Sequence, residues 1–322
     1  CLPRHWLNTK SMFKQQLSQE YFEMNTTKQA FTDAISLVKI NPSTSIAAVI
    51  GDPVKHSLSP VIHNAGFKSL GIDWFYIACE VKDGQAKEAL EAMKVLDLRG
   101  LSVTMPHKTS VAALVDSVSE SARALKSVNT VEVSADGSLV GHSTDGDGLV
   151  ASLQARDVDV AGKDVLILGA GGAARSVIDA LSRKGCHQIF IVNRSLESAK
   201  VATELAPGIA TAIALTDQSA ISEIASQCNI VINATSVGMS KSPDVKSVSP
   251  ISADLITSAH VVVDLVYHPI QTELLRQAQL RGAQAIDGLG MLVHQAALQQ
   301  LIWTGLFPSV PDMYQAALQA LS

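Results

Sequence analysis

The chain has 322 residues, of which 47% are hydrophobic, 17% charged and 4% aromatic, and its formal net charge is −5. This length predicts about two domains with substantial buried cores. Because the chain has no basic block and few aromatic side chains that could stack on bases, we expect no nucleic-acid partner. No apolar run reaches the roughly 18 residues of a membrane span, so we expect no membrane partner either.

The cysteines and the N-terminal segment bear on the compartment. Cys1, Cys79, Cys186 and Cys228 are scattered, with no C-x-x-C pair. This pattern is typical of thiols in a reducing cytosol and offers no metal site. Residues 1–45 lack the apolar stretch of a signal peptide. We therefore expect a cytoplasmic protein with an unassigned N-terminal extension over 1–45, containing one short helix around Lys28–Val38.

Residues 46–156 alternate short apolar strands with helical segments. Strands are predicted at Ile46–Ile50, Trp74–Glu80, Leu101–Thr104, Val128–Val133 and Leu139–His142, and a helix is predicted at Pro60–Leu70. Ala86, Ala89, Leu90 and Met93 recur at the spacing of one helical face. Such alternation predicts an α/β domain with a mostly parallel sheet covered by helices on both faces.

A second α/β cycle occupies residues 157–288. Its predicted strands are Val165–Leu168, Ile189–Val192, Ile209–Ile213, Ile230–Ala234, Val261–Leu265 and Ala283–Ile286. Six strands with intervening helices are typical of a doubly wound, Rossmann-type dinucleotide-binding domain. A helix at Asp147–Ala155 joins the halves, and the boundary lies near Asp157–Lys163. Residues 289–322 are purely helical, at Gly290–Trp303 and Pro311–Leu321, and their spacing alone does not indicate which domain they pack against.

A glycine-rich turn follows the first strand of the second half. Gly169, Ala170, Gly171, Gly172 and Ala173 lie between that strand and the start of a helix. Glycines let the backbone approach a pyrophosphate, and the helix N-terminus offers free N–H groups to its oxygens. Two dozen positions later, Asn193 and Arg194 stand where an acidic residue usually holds a ribose 2′-hydroxyl. This replacement favours a 2′-phosphate.

In the first half, polar residues collect where strands end. Ser57 and Ser59 precede the predicted helix, and one interpretation makes Ser59 its N-cap with Pro60 as the first helical residue. That leaves Ser57 unexplained, whereas two hydroxyls beside a helix N-terminus suit a carboxylate ligand. From these residues alone both interpretations stay open.

Three further polar clusters follow in the same half, at Val103–Lys108, Ser127–Thr130 and His142–Gly146. Each has a purely structural explanation: Lys108 as a solvated charge, or Asp145 as a helix cap. We interpret His107 as a loop histidine rather than a catalytic one. The clusters occur together and precede the glycine turn. Because ligands collect at the carboxyl ends of strands in such sheets, this indicates a binding site.

At these motifs the chain resembles the shikimate dehydrogenase family, from about residue 46 to 321. The resemblance runs through Ser57–Pro60, Val103–Lys108, Val128–Thr130, Thr144–Gly146, Gly169–Ala173, Asn193–Arg194, Asn233–Gly238, Val266–Pro269 and Gly290–Ala296. It implies an NADP-dependent enzyme that reversibly reduces 3-dehydroshikimate to shikimate on the route to chorismate and the aromatic amino acids. We expect a monomer or homodimer.

The resemblance also implies roles for individual residues. Ser57, Ser59 and Tyr267 would hold the substrate carboxylate, and the ring would be surrounded by Thr104, Lys108, Asn129, Asp145 and Gln295. Lys108 and Asp145 match the family's catalytic pair. Hydride arriving at a carbonyl carbon leaves charge on its oxygen, which a lysine ammonium can stabilise and protonate. Asp145 would orient Lys108.

For the cofactor, the resemblance implies three groups of contacts and one nearby residue. The pyrophosphate would lie on Gly169, Ala170, Gly171, Gly172 and Ala173, the adenosine end on Asn193, Arg194, Ser195 and Ser198, and the nicotinamide half on Thr235, Leu265 and Gly288, with Glu120 close by. Ser198 stands where many NADP-specific members carry a second basic residue. This leaves Arg194 as the main 2′-phosphate contact, Lys200 as a possible substitute, and NAD as a possible cofactor. The helix with Gln295 would return to the first domain.

Three alternatives remain. A quinate/shikimate dehydrogenase using NAD, or both cofactors, is the nearest. The paired serines Ser57 and Ser59 favour shikimate, while Ser198 keeps this alternative open. A non-catalytic ligand sensor on the same scaffold would have lost the catalytic pair, and Lys108 and Asp145 are both present. A dehydrogenase of similar plan acting on amino acids or folates would lack the serines and Tyr267.

Overall fold

The computed structural model describes residues 40–239 and 248–321. The chain from Ser45 onward forms one compact unit. The described residues of the preceding unit include a turn in which the Thr44 N–H donates to the Asn41 carbonyl oxygen over 3.0 Å. The helix expected around Lys28–Val38 lies outside the described residues.

The first sheet combines parallel strands with one antiparallel strand. Its strands are β1 (Ser45–Gly51), β2 (Trp74–Glu80), β3 (Gly100–Val103), β4 (Ser117–Val118), β5 (Thr130–Val133) and β6 (Leu139–His142). They lie in the order β2-β1-β3-β5-β6-β4, and β5 is antiparallel to both its neighbours, β3 and β6. The expected mostly parallel sheet is confirmed. A tight turn between β5 and β6, with Gly137 at φ 84°, makes them an antiparallel hairpin.

Helices cover both faces of this sheet. They are α1 (Ser59–Leu70), α2 (Ala86–Val95), α3 (Lys108–Leu114), α4 (Glu120–Leu125) and α5 (Asp145–Gln154). Alternate residues of β1 enter different cores: Ala48 and Ile50 pack with Met93 of α2, and Ala47 and Val49 pack with Phe67 of α1. This follows from the two-residue period of a strand, and it explains why β1 is apolar throughout.

The second sheet is fully parallel and doubly wound. Its strands are β7 (Asp164–Leu168), β8 (Gln188–Asn193), β9 (Ala210–Ala214), β10 (Ile230–Asn233), β11 (Val261–Asp264) and β12 (Gln284–Ile286). Their order is β12-β11-β10-β7-β8-β9. The helices are α6 (Gly172–Arg183), α7 (Leu196–Thr203), α8 (Gln218–Gln227) and α9 (Glu273–Leu280). The strand order reverses between β7 and β10, where such sheets bind dinucleotides, so the Rossmann-type prediction is confirmed.

The last two helices are α10 (Leu289–Thr304) and α11 (Val310–Leu321), and both pack against the first half of the chain. Val293 and Ala296 of α10 and Met313 of α11 share a buried cluster with Ile62 of α1. Trp303 Nε1 also donates to the Val131 carbonyl oxygen in β5 over 3.0 Å. The spacing of the tail helices left this packing open, and the structure places α10 across the first sheet.

Two helix starts differ from the structural interpretations of the sequence. Helix α1 begins at Ser59 itself, the N-cap position is Leu58, and no side chain caps the helix. Ser59 as N-cap is therefore wrong, and its hydroxyl is not used for capping. Helix α5 begins at Asp145 rather than Asp147, after Thr144 at the N-cap. Asp145 does not cap this helix, so its carboxylate is free to face the site.

Candidate active site

A cavity of about 370 Å³ lies where the polar clusters of the first half converge. All the residues to which the resemblance assigns substrate contacts line it: Ser57, Ser59, Thr104, Lys108, Asn129, Asp145, Tyr267 and Gln295. Gln295 reaches it because α10 crosses α5 closely. A Cβ on Gly148 of α5 would lie only 2.7 Å from the Gln295 backbone nitrogen.

Lys108 and Asp145 form an ion pair in this cavity. Nζ of Lys108, the first residue of α3, donates to Oδ2 of Asp145 over 2.6 Å. The two side chains are 30% and 16% exposed, so a ligand in the cavity can reach both. An ammonium has three N–H donors, and this bond uses one of them. The other two remain for a substrate oxygen.

Asn129 fixes the other oxygen of the carboxylate. Its Nδ2 donates to Asp145 Oδ1 over 2.7 Å. The amide orientation follows from the Thr144 backbone N–H, which can only donate and lies 2.9 Å from Asn129 Oδ1. The Thr130 hydroxyl donates to the same oxygen over 2.8 Å. Asn129 is buried and locked in place, so Asp145 is held from both sides.

Three hydroxyl groups border another part of the cavity: Ser57, Ser59 and Tyr267. The Ser59 N–H donates to Ser57 Oγ over 3.2 Å, which leaves the Ser57 hydroxyl hydrogen available to a ligand. Apart from Lys108, the lining contains one other basic side chain, His56. A ligand carboxylate in this part would meet three hydroxyl donors, with the His56 side chain beside Ser57.

Besides His56, two polar residues of the cavity lining had no predicted role, Ser102 and Gln299. The buried Tyr76 hydroxyl donates to Ser102 Oγ over 2.6 Å, and Ser102 donates to Gln299 Oε1 over 2.6 Å. Burial raises the pKa of Tyr76 far above its usual range, although the bond to Ser102 opposes this. Periodicity could have found both residues, since Ser102 precedes Thr104 by two positions in a strand and Gln299 follows Gln295 by one helical turn.

His107 lies in the turn that precedes α3. It is fully buried at the N-cap position of α3, and its Nε2 lies 2.7 Å from the Val81 carbonyl oxygen. This contact ties the turn before Lys108 to the segment after β2. His107 is not part of the cavity lining, which agrees with the interpretation that it is not catalytic.

The glycine turn forms a cradle beside the same cavity. Gly169 has a φ of 110°, and a Cβ there would lie 3.0 Å from the Ala234 carbonyl oxygen, so only glycine fits. A Cβ on Gly171 or Gly172 would meet no atom within 4 Å. Gly171 is the N-cap of α6 and has no side chain to cap it, so the first N–H groups of the helix face open space. These features fit a dinucleotide pyrophosphate.

Some residues with expected cofactor contacts border the cavity directly: Ala173, Leu265 and Gly288. Ala173 lies in the first turn of α6, so the glycine cradle and the cavity wall are continuous. Thr235 lies in the loop after β10, with its N–H and hydroxyl bonded to Asn233 Oδ1 over 3.0 and 2.7 Å. Glu120 is exposed at the start of α4 and does not line the cavity.

The end of β8 carries the expected adenosine contacts. Ser195 is the N-cap of α7. Its Oγ accepts from the Ser198 N–H over 3.2 Å and from the Ser198 hydroxyl over 3.1 Å. Asn193 Nδ2 donates to the Ser195 carbonyl oxygen over 3.0 Å. Lys200 lies 4.0 Å from Glu197. Arg194 is exposed and forms no ion pair within the described ranges 40–239 and 248–321, so its guanidinium is available to a ligand.

The part of the chain that the structure describes contains neither a membrane-spanning helix nor a cluster of metal ligands. None of its helices is long and apolar enough to cross a membrane. None of its groups of His, Cys, Asp and Glu side chains could hold a metal ion.

A doubly wound sheet with an open glycine turn, next to a cavity containing a lysine–carboxylate pair, is typical of nicotinamide-dinucleotide dehydrogenases. Family models match along the chain: the shikimate dehydrogenase substrate binding domain over residues 49–131, shikimate / quinate 5-dehydrogenase over 151–267, and the shikimate 5′-dehydrogenase C-terminal domain over 288–318. The chain belongs to the shikimate dehydrogenase family.

Individual relatives agree with this membership. A Bacillus subtilis protein named shikimate dehydrogenase (NADP(+)) is 42% identical over 82% of this chain and 93% of its own length. The Listeria monocytogenes shikimate 5-dehydrogenase, solved with shikimate and NAD, matches with a TM-score of 0.81 and 34% identity over 86% of this chain and 97% of that one. Quinate dehydrogenase from Corynebacterium glutamicum, solved with NAD, matches with a TM-score of 0.78 and 29% identity over 86% and 99%.

Proposed function

We propose that this protein is an NADP-dependent shikimate dehydrogenase that reversibly reduces 3-dehydroshikimate to shikimate. One observation carries the proposal: a single cavity gathers the three hydroxyls, the Lys108–Asp145 pair and Gln295, and is bordered on another side by Ala173, Leu265 and Gly288 of the cofactor half. Substrate and nicotinamide would therefore share one enclosure, as hydride transfer requires.

In this proposal the two domains bind different ligands. Residues 46–156, together with 289–322, form the substrate-binding catalytic domain, and residues 157–288 form the NADP-binding domain. The packing of α10 and α11 on α1 supports this division. The free thiols Cys79, Cys186 and Cys228 fit a reducing compartment, so we place the enzyme in the cytoplasm, as a monomer or homodimer.

Lys108 acts on the reacting oxygen. During reduction the carbonyl oxygen of 3-dehydroshikimate gains negative charge, and the Lys108 ammonium donates a hydrogen bond and then a proton to it. During oxidation, neutral Lys108 takes the proton of the shikimate hydroxyl. Asp145 keeps the ammonium in place over 2.6 Å and is itself held by Asn129, so little reorganisation is needed during the reaction.

The carboxylate of the substrate is anchored by Ser57, Ser59 and Tyr267. Three neutral hydroxyl donors orient a carboxylate without placing a second strong cation next to Lys108. Thr104 and Gln295 line the remaining wall, where they can contact the ring hydroxyls. Anchoring at one end and contacts along the ring fix which carbon faces the cofactor half.

The cofactor half holds NADP through the turn at Gly169–Ala173 and the uncapped N-terminus of α6. Arg194 binds the 2′-phosphate, with Asn193, Ser195 and Ser198 near the adenosine end and Thr235, Leu265 and Gly288 along the nicotinamide half. Glu120 is close to the cofactor. The bound nicotinamide supplies or accepts the hydride.

Steady-state kinetics with shikimate and with quinate, each with NADP and with NAD, tests the proposal. We expect the highest kcat/KM for shikimate with NADP. The second candidate is a quinate/shikimate dehydrogenase that uses NAD, which the Ser198 hydroxyl favours because it adds no positive charge beside Arg194. A higher kcat/KM for quinate with NAD would select this candidate. Absence of oxidation in all four combinations would contradict both.

A further inference from the structure

Two loops lie beside the candidate site, one at the cavity and one at the glycine turn, and a single buried carboxyl group connects them. The cofactor loop, residues 234–239, follows β10 and contains Thr235. The tyrosine loop, residues 265–272, follows β11 and contains Leu265 and Tyr267. We propose that Asp264 is a positioning residue that holds these two loops in one arrangement, so that cofactor and substrate binding depend together on a residue that touches neither ligand. This inference rests on the proposed function.

Asp264 is the last residue of β11 and is completely buried. Its Oδ1 accepts from Asn233 Nδ2 over 2.8 Å and from the Val266 N–H over 3.0 Å. The Thr272 hydroxyl lies 2.6 Å from its Oδ2. Each carboxyl oxygen therefore has a partner. Val266 and Thr272 belong to the tyrosine loop, and Asn233 directly precedes the cofactor loop.

Asn233 connects Asp264 to the cofactor loop. Its Nδ2 donates to the Val237 carbonyl oxygen over 3.0 Å as well as to Asp264. Its Oδ1 accepts the Thr235 N–H over 3.0 Å and the Thr235 hydroxyl over 2.7 Å. The Asn233 amide orientation is fixed by these donors. It transmits the position of Asp264 to Thr235, which is expected to contact the nicotinamide half.

Val266 and Thr272 connect Asp264 to the tyrosine loop. They bracket Tyr267, which lines the cavity together with Leu265. Thr272 is also the N-cap of α9 and accepts the Leu275 N–H over 3.3 Å, so this end of the loop is anchored to a helix. The loops meet as well, because a Cβ on Gly238 would lie 3.5 Å from Thr272 Cβ. Asp264 is not part of the cavity lining, so it acts through these partners.

The partners of Asp264 are neutral donors, which suggests that shape and acceptor positions matter more than charge. Burial raises the pKa of Asp264, while the bonds from Thr272, Val266 and Asn233 lower it. An asparagine has the same shape. Its carbonyl oxygen can keep the two Oδ1 contacts, and its amide can donate to the Thr272 hydroxyl oxygen. The conservative variant therefore keeps the connection that an alanine removes.

The test compares Asp264→Ala and Asp264→Asn with variants of the residues that Asp264 positions. We expect Asp264→Ala to raise the KM for NADP and the KM for shikimate together, each by about tenfold, because Asn233 before the cofactor loop and the two donors in the tyrosine loop lose their acceptor. We expect Thr235→Ala to raise only the KM for NADP and Tyr267→Phe only the KM for shikimate. Asp264→Asn should stay within about threefold of wild type in both constants.

A matched control is Asp179→Ala. Asp179 is also a buried carboxyl group of the second half, but it pairs with Arg183 on α6 and contacts neither loop. It should lower the midpoint of thermal unfolding without changing either KM. If Asp264→Ala fails to fold by circular dichroism, Asn233→Ala and Thr272→Val each remove one end of the connection. We expect the first to raise the KM for NADP and the second the KM for shikimate.

The outcomes separate this inference from the proposed function. A wild-type protein that does not oxidise shikimate with NADP contradicts the proposed function. An active wild type with a folded Asp264→Ala variant whose two KM values are unchanged, or of which only one changes, contradicts the inference alone. Unchanged constants in both Asn233→Ala and Thr272→Val have the same meaning when Asp264→Ala is unfolded.

Discussion

Lys108 Nζ lies 2.6 Å from Asp145 Oδ2, and the two residues are the first of α3 and α5 respectively. The two helices start after different strands of the first sheet, so the fold rather than local sequence brings the side chains together. Asp145 is held on its other oxygen by Asn129 over 2.7 Å. Such a pair contributes little to stability when it is partly exposed, and its fixed geometry is what the proposed proton transfer requires.

Lys108→Ala removes the proposed proton donor. We expect kcat for shikimate oxidation to fall by about 10²–10⁴-fold, while the dissociation constant of shikimate changes little because the hydroxyls at Ser57, Ser59 and Tyr267 remain. Steady-state kinetics and calorimetric titration measure the two quantities. Lys94→Ala is the matched control, since Lys94 forms an exposed ion pair with Asp116. A Lys108→Ala enzyme with near wild-type turnover would contradict the catalytic role.

Arg194→Ala tests the choice of cofactor. The exposed guanidinium is the proposed 2′-phosphate contact, and charge-assisted bonds of this kind contribute more than neutral ones. We expect the KM for NADP to rise by about 10-fold or more and the KM for NAD to stay nearly constant. Arg276→Ala, which removes an ion pair with Glu273 on the surface of the same half, is the control. Equal changes for both cofactors would place the 2′-phosphate elsewhere.

The long apolar strands could be predicted from the sequence, whereas the shortest elements could not. Strands such as β7 and β10 are buried on both faces, so each is a continuous apolar run whose position and ends could be predicted from the sequence. The two-residue strand β4 and the short helices α3 and α4 carry too few residues for a periodic signal. Pairing of β5 with β3 depends on the hairpin to β6, which only the three-dimensional structure reveals.

Some residues of the candidate site could be predicted from the sequence, and others could not. Lys108 and Asp145 were indicated by polar clusters that follow β3 and β6, because an α/β sheet brings the carboxyl ends of parallel strands together. Asn129 precedes β5 and reaches the same edge because β5 is antiparallel to both of these strands. Ser102 and Gln299 were missed, because the periodicity that relates them to Thr104 and Gln295 does not by itself distinguish a residue of the cavity lining from one that packs in the core. Each is buried, and their mutual bond joins β3 to α10 across a long stretch of sequence. A buried polar residue of this kind is explained only by its partner.

Gly66 and Gln300 provide a test of core packing under the candidate site. A Cβ on Gly66 would lie 2.5 Å from the Gln300 side-chain amide. Gln300 is fully buried and cannot move freely, because its Nε2 lies 2.8 Å from the His63 carbonyl oxygen and 3.2 Å from His63 Nδ1. We expect Gly66→Ala to lower the free energy of unfolding by about 1–3 kcal/mol, the usual cost of overpacking.

The effect of Gly66→Ala on the free energy of unfolding should change sign when the Gln300 side chain is shortened. In a Gln300→Ala background the added methyl group meets open space, and alanine favours a helix over glycine by about 1 kcal/mol. We therefore expect Gly66→Ala to stabilise Gln300→Ala by up to about 1 kcal/mol. Urea denaturation of the wild type, both single variants and the double variant gives the cycle. Additive effects of the two substitutions would mean that the side chains do not compete for this space.

His63 predicts a pH dependence of stability. The imidazole is fully buried and stacks on Tyr76 at a ring distance of 4.1 Å. Burial lowers the pKa of His63 from 6.5 to about 3. Between these values the unfolded chain binds a proton that the folded chain does not. The free energy of unfolding is therefore unaffected by this group above about pH 6.5 and falls as the pH decreases toward about 3.

His63→Phe isolates this contribution, because phenylalanine keeps an aromatic ring against Tyr76 but does not titrate. Other titratable groups are common to both proteins and cancel in the comparison. From about pH 7 to about pH 4.5, the free energy of unfolding of the wild type should fall by about 2–3 kcal/mol more than that of His63→Phe, according to proton linkage. Guanidinium denaturation at the two pH values measures the difference. Equal losses of unfolding free energy in the two proteins would mean that His63 binds its proton over the same pH range in the folded and the unfolded chain, which its complete burial opposes.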